Sequence, residues 1–269
     1  MVIVHGEKPF KEKMQSVLER IKSIPGRFIL KEELSSNLIT KIYLCSFNNT
    51  QSVIRFDLPV ASKLAINRQH EVNILDSIKH LDLAPKILYS DTNAGILIWK
   101  YISGLEPNFI KETSKPNSLL DLGASLALLH SSPIPKNSID IFSNSMLLYE
   151  NLLQSSSEKL VFKRAMALYE ELEKDGARKV FSHNDLHQKN LLWNKKYYFL
   201  DWEYSGPNHP CFDIASLVKS FELNLRQINE LSLGYKTNKN FFHPKALNPW
   251  VEFVACLEEI WKIAVIKIR

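Results

Sequence analysis

Asp185 and Asn190 stand five residues apart in His183-Asn184-Asp185-Leu186-His187-Gln188-Lys189-Asn190, and Asp201-Trp202-Glu203 begins sixteen residues after Asp185. Moving a phosphoryl group asks a protein for a carboxylate beside the attacking hydroxyl, hard oxygen ligands that fix Mg2+ against the phosphates, and a cation on the phosphates themselves. A loop bearing Asp185 and Asn190 supplies the first two. Asn194-Lys195-Lys196 makes a tight connection between the β runs NLLW and YYFLDW, so the hairpin can return Asp201 to complete the metal shell. His183 and His187, four apart, also have the spacing of a zinc-binding helix face. No Glu lies between them as in H-E-x-x-H, and Asn184-Asp185 suits a loop, so zinc is not expected. A lone Asp would read as an ordinary polar turn; the ordered set of Asp185, Asn190 and Asp201 is what points to chemistry.

Two stretches of different character surround this loop. After an amphipathic helix near residues 8–23, the β-rich runs RFILKEEL, LITKIYLCSF and SVIRFDL follow, with the polar break FNNTQ between the last two. They form an antiparallel meander. A helix is expected from about Ser62 to His80, with Leu64, Glu71, Leu75 and Ile78 at helical spacing. KILYSD and GILIWKYI flank Asn93-Ala94-Gly95 as a hairpin and bring the sheet to about five strands. Beyond Ser103-Gly104 helical patterns dominate: SLLDLGASLALLH, roughly 158–174, roughly 211–234, and a last helix from about Asn248. The expected fold class is α+β and two-lobed, with lobes at residues 1–103 and 104–269.

With 269 residues, 45% of them hydrophobic and 23% charged, the chain can bury a substantial core. The formal charge of +5 is spread thinly: residues 1–103 carry 14 Lys and Arg against 10 Asp and Glu, the remainder 20 against 19. No basic run with interleaved aromatics occurs, so nucleic acid is not an expected partner. The three cysteines are far apart and show no C-x-x-C spacing, which argues against disulfides and for a reducing cytoplasm. MVIVHGEKPFKEKM has no apolar h-region and no long apolar run follows, so neither secretion nor a membrane partner is expected. Oligomeric state is left open.

The pattern H-x-D-x-x-x-x-N followed by D-W-E resembles that of the protein-kinase-like small-molecule kinases, which include choline, ethanolamine and thiamine kinases and the aminoglycoside phosphotransferases. Over about residues 30–215 the resemblance implies a kinase-like fold with ATP and Mg2+ in a cleft near residue 103. Asp185 becomes the catalytic base, Asn190 and Asp201 metal ligands, and His183 a prop of the catalytic loop. Glu203 adds a further carboxylate. Asn208-His209-Pro210-Cys211-Phe212-Asp213-Ile214-Ala215 resembles the family's N-x-x-x-x-D-[IL]-A segment, which makes Asp213 a structural buttress. Arg55 in SVIRFDL resembles the basic residue that offsets the ATP phosphates, and Glu71 its ion-pair partner; the bland alternative is a strand residue and a helix residue facing solvent, and their order and spacing favour function. Backbone groups near Lys100 and Tyr101 correspond to the adenine-binding hinge. The phosphate loop departs from the family, because Glu32-Glu33-Leu34-Ser35-Ser36-Asn37 has no glycine. Ser35, Ser36 and Asn37 can still donate hydrogen bonds to ATP.

Trp250, Val254, Leu257 and Trp261 follow one another at spacings of 4, 3 and 4 on one face of the last helix. Core packing explains that spacing. Alternatively Trp261 or Trp250, with Tyr204, Glu203 and Glu258 or Glu259, walls a cation pocket. The expected reaction is therefore ATP-dependent phosphorylation of a small hydroxylated amine, with choline or thiamine first. Asp201 and Asp213 are only twelve apart, leaving no room for the long activation loop of protein kinases. An aminoglycoside phosphotransferase is the alternative enzyme, although no acidic cluster marks a groove for a polycation. A nucleotide-binding pseudokinase is the alternative of another class, suggested by the glycine-free loop.

Overall fold

The structure is a computed structural model that describes residues 15–64, 66–109, 118–236 and 239–268. The chain divides into two compact units, Met1–Lys63 with Pro85–Ile102, and Leu64–Ala84 with Ser103–Arg269. The segment carrying Glu71 thus groups with the second unit.

The first unit is built on five antiparallel strands, β1 Phe28–Ser36, β2 Thr40–Phe47, β3 Thr50–Asp57, β4 Ile87–Asp91 and β5 Ile96–Lys100, in the order β1-β2-β3-β5-β4. The break between β2 and β3 is a two-residue turn. Asn48 and Asn49 both take the left-handed backbone, at φ 48° and 64°, which matches the twist of the paired strands. At the β4–β5 turn Gly95 has φ +60°, and a Cβ there would meet Asp57 Cβ at 2.8 Å. The helix α1, Gln15–Lys22, is the described part of the amphipathic helix expected near residues 8–23; the earlier residues of that stretch lie outside the described ones. Val17, Ile21 and Ile24 pack with Phe28, Tyr43, Ile54 and Phe56 in one core. Arg20 points the other way along this turn, donating to the carbonyls of Asp57 and Gly95 at 2.7 Å and to that of Ala94.

The second unit is mostly helical: α2 Arg68–Ser77, α3 Leu119–Ser131, α4 Ile141–Leu152, α5 Ser156–Leu172, α6 Pro210–Phe221, α7 Leu225–Tyr235 and α8 Pro244–Ile268. Two small antiparallel pairs interrupt it, β6 Val180–Ser182 with β9 Gly206–Asn208, and β7 Leu191–Trp193 with β8 Tyr197–Phe199. The apolar run at 211–234, expected as one helix, is two. Glu222 turns left-handed at φ 51°, and Asn224 caps α7 in a reciprocal box with Gln227. The last helix starts at Pro244 and not near Asn248, because Pro244 serves as a helix-starting residue and Pro249 is accommodated inside. α3 and α7 meet backbone to backbone, since a Cβ at Gly234 would lie 1.9 Å from the Leu120 carbonyl oxygen. No helix among the described residues is long and apolar enough to cross a membrane.

Candidate active site

β6 delivers the chain into the loop 183–190, and α6 begins beside it with a fully buried carboxylate, Asp213. Asp213 Oδ2 accepts the His183 N–H and Oδ1 the Asn184 N–H, each at 2.8 Å. His130, at the end of α3, adds a third donor through Nε2 to Asp213 Oδ2 at 3.1 Å, while its Nδ1 lies 2.8 Å from the Tyr235 hydroxyl. Asn184 takes a left-handed φ of 66°, and its side chain donates to the Tyr204 carbonyl at 2.9 Å. The backbone of the loop is therefore anchored immediately before Asp185.

Asn190 closes the loop from its other end. Its Nδ2 donates to Asp185 Oδ2 at 2.8 Å and to the Asp185 carbonyl at 2.9 Å, which commits the amide nitrogen and leaves Oδ1 as a ligand oxygen. The β7–β8 hairpin pairs Leu191 with Phe199, and the Leu200 N–H donates to the Asn190 carbonyl at 2.8 Å. The hairpin thus brings the backbone of Leu200, the residue before Asp201, against Asn190. Asp201 is exposed and has φ 61°, an uncommon conformation for a residue other than glycine. An amide oxygen and a carboxylate are hard donors of the kind that magnesium takes alongside nucleotide phosphates. Partial burial of Asp185, whose side chain is 34% exposed, and the negative charges of Asp201 and Glu203 push its carboxyl above the usual carboxylate range.

Other expected site residues fall into separate settings. Glu203 and Glu71 are both buried and share one cation, Arg68, whose Nη1 donates to Glu71 Oε2 at 3.0 Å and also to Glu203 Oε2. Arg55 is buried in β3, its Nε 3.5 Å from Asp57 Oδ1. Ser35 and Ser36 lie at the end of β1, in register with Ile42 and Lys41, after two register shifts between Leu30 and Ser35. Asn37 makes the turn itself, its Oδ1 accepting the N–H groups of Ile39 and Thr40 at 2.8 and 2.7 Å. The N–H groups of Lys100 and Tyr101 are spent within the first unit, on the carbonyls of Lys86 and Gln51.

Tyr149 and Tyr204 lie near enough to Asp185 to feel its charge, and Trp261 joins them through Tyr204. Trp261 Nε1 donates to the Tyr204 hydroxyl at 3.3 Å. Burial, the neighbouring Tyr149 hydroxyl and the charges of Glu203 and Asp185 push the Tyr204 phenol well above its ordinary value. Tyr149, on α4, is buried and pushed up to about 12 chiefly by burial, with Glu203 and Asp185 adding to the rise. The two tryptophans of α8 separate: Trp250 is core, stacked on His209 at 4.6 Å and 17°, whereas Trp261 is half-buried. Glu258 is ion-paired with Lys219 at 2.7 Å, and Glu259 is exposed.

Residues 32–250 match the model of the phosphotransferase enzyme family. The chain belongs to that family. Protein LicA of Haemophilus influenzae is 26% identical over 209 residues, which cover 74% of this phosphotransferase and 61% of LicA. Ethanolamine kinase 2 of Homo sapiens is 28% identical over 176 residues, 60% of this chain and 44% of the human protein. The chain thus spans about three fifths of the first of these curated relatives and less than half of the second. The crystal structure of choline kinase LicA from Streptococcus pneumoniae superposes with a TM-score of 0.73 at 24% identity, over 96% of this chain and 90% of that one. The phosphotransferase therefore has the two-lobed, protein-kinase-like fold expected from its catalytic-loop motif.

His130, Arg68 and Tyr149 were not legible as site residues. His130 and Arg68 sit on helices whose facing the sequence does not disclose, and Tyr149 belongs to α4, an element that sequence periodicity did not single out. His183 was, and its setting carries a prediction for the phosphotransferase. It is fully buried, its Nε2 donates to the Leu200 carbonyl at 2.9 Å, and burial lowers it to about 4. A folded pKa below the unfolded 6.5 means the unfolded chain binds the extra proton, so stability is complete above pH 6.5 and falls as pH drops toward 4. The loss approaches about 3 kcal/mol by linkage. Urea unfolding at pH 7 and pH 4.5 should show a smaller difference in His183→Gln than in the wild type; equal differences would exclude this origin.

Proposed function

We propose that this phosphotransferase moves the γ-phosphoryl group of ATP to the hydroxyl of a small amino alcohol, choline first among the candidates. The observation that supports the reading is the bond from Asn190 Nδ2 to Asp185, in a loop whose following hairpin leads to Asp201, with Tyr149 and Tyr204 near enough to feel the Asp185 charge. Asp185 orients the acceptor hydroxyl and takes its proton as the oxygen bonds to the γ-phosphorus and the bond to ADP breaks. Its raised pKa suits a group that must hold that proton. Asn190 Oδ1 and Asp201 would hold Mg2+, which would neutralise charge on the phosphates. Arg55 offsets the remaining phosphate charge, and Ser35, Ser36 and Asn37 donate hydrogen bonds to the phosphates. Because the N–H groups of Lys100 and Tyr101 are engaged, adenine would meet carbonyl oxygens there or groups just beyond.

Tyr204 and Trp261 offer aromatic surface to a cationic head group, and Glu203 and Glu258 contribute negative charge. Residues 1–103 supply the nucleotide contacts, and 104–269 the catalytic loop and acceptor pocket. Such a reaction belongs in the cytoplasm, where ATP is made available.

A coupled ADP-release assay with choline, ethanolamine, thiamine and kanamycin tests the proposal. Mg2+-dependent turnover is expected with choline or ethanolamine and little with kanamycin. Tight ATP binding with no transfer to any amino alcohol would overturn the enzymatic reading in favour of a regulatory nucleotide-binding module.

A further inference from the structure

α2 opens at Arg68, and two side chains of its first turn reach the segment that follows Asp201. Arg68 Nη1 donates to the Glu203 carboxylate and, at 3.0 Å, to Glu71 Oε2. The three side chains are almost fully enclosed, at 9% exposed for Arg68, 2% for Glu71 and 8% for Glu203. A helix charge facing solvent would not be so enclosed, and taking a cationic partner from a buried carboxylate is costly. His70 makes the second contact, its Nε2 donating to the Ser205 carbonyl at 2.7 Å. Ser205 Oγ in turn donates to the Trp202 carbonyl at 2.8 Å.

On the opposite side, His183 holds the Leu200 carbonyl at 2.9 Å. Asp201 therefore lies between one fixed point at Leu200 and two at Glu203 and Ser205. Its own backbone, at φ 61°, is the strained element of the stretch. A residue other than glycine keeps such a conformation when its surroundings over-determine it. Arg68 is the member of that bracket whose action depends on charge. Both carboxylates are met by Nη1, at the end of a planar guanidinium that is larger and more weakly hydrated than an ammonium, so lysine would reproduce the charge but not the placement.

We propose that Arg68 is a positioning residue of the phosphoryl-transfer site: by holding Glu203 it fixes the left-handed turn at Asp201, and with it the carboxylate that takes the metal. The inference concerns metal placement, and it rests on the proposed function only for its effect on turnover. Arg68→Met keeps much of the side-chain volume and removes the charge, Arg68→Lys keeps the charge without the fork, and Glu203→Gln removes the other half of the pair.

For each variant, Mn2+ binding in the presence of ADP is measured by electron paramagnetic resonance of the free ion, together with kcat, KM and thermal melting. Arg68→Met should weaken Mn2+ binding at least tenfold and lower kcat at least thirtyfold, with KM for the amino alcohol within threefold of wild type. Arg68→Lys should recover part of both losses, and Arg68→Met combined with Glu203→Gln should be no worse than Arg68→Met alone. A lowered melting temperature with wild-type Mn2+ affinity and wild-type kcat in the folded fraction would overturn the proposal, leaving Arg68 as a packing residue. Should Arg68→Met fail to fold, Arg68→Lys and Glu203→Gln decide by the same two readouts. A wild type that binds Mn2+ but transfers to no amino alcohol would refute the function while the Mn2+ measurements still judge Arg68. One that binds no Mn2+ with ADP would overturn both.

Discussion

Asp185→Asn is expected to lower kcat by about a thousandfold or more while leaving the fold at least as stable as the wild type. The two halves of that expectation come from the same observation. Asp185 is half-buried, and that burial with the negative charges of Asp201 and Glu203 disfavours its ionised form in the folded chain. An amide of the same shape removes that repulsion and can still accept the Asn190 Nδ2 proton, now 2.8 Å away. It cannot accept a proton from the acceptor hydroxyl. Activity and stability should therefore part company, as they do where a site carries strain for the sake of function. Steady-state kinetics with choline and a thermal melt on the same preparation check both. Turnover close to wild type would remove Asp185 from the role of base, and a sharply lowered melting temperature would contradict the electrostatic account.

How much of this was written in the sequence can be followed through particular residues. The β2–β3 turn was legible because a turn with two left-handed positions calls for residues such as Asn, and Asn48-Asn49 stands between two strongly β-patterned runs. The pairing of Leu191 with Phe199, which returns the chain toward Asn190, was legible for a related reason, since a short hairpin fixes register by its length alone. Helix boundaries were less so. One apolar run over 211–234 hides a left-handed residue at Glu222 and a cap at Asn224, and neither disturbs the periodicity on which a helix is recognised.

Side-chain pairing across elements was the part that the sequence withheld. Glu71 and Glu203 are 132 residues apart, and that both lean on Arg68 follows from how α2 docks, not from any local pattern. The same holds at α8. Trp250 and Trp261 share a helical face by spacing, yet Trp250 stacks on His209 in the core while Trp261 meets the Tyr204 hydroxyl. A 25-residue helix passes different neighbours along its length, so periodicity tells which side is covered and not by what. Spacing alone favoured core packing and left a cation pocket open; Trp250 is core, and Trp261 is half-buried against the Tyr204 hydroxyl.

Asp213 predicts the opposite pairing of effects from Asp185. It touches no reacting group in the proposed mechanism, but its two oxygens accept the N–H groups of His183 and Asn184 and the His130 Nε2 proton. In Asp213→Asn one of those oxygens becomes an N–H2 group, which turns a donor against a donor in a fully buried position. Each buried donor left without an acceptor costs about 1–3 kcal/mol, and the loss of the carboxylate also removes charge-assisted strength from the bonds that remain. A destabilisation of about 3–5 kcal/mol follows, a large share of the stability of an ordinary domain. The freed backbone of residues 183–184 would also let Asp185 drift, and a displacement of about 1 Å is enough to cost about a hundredfold in rate. Urea unfolding and kcat measured well below the melting temperature should thus fall together in Asp213→Asn, where Asp185→Asn loses only the rate. If Asp213→Asn kept wild-type stability, the buried bonds to His183 and Asn184 would not be what holds the loop.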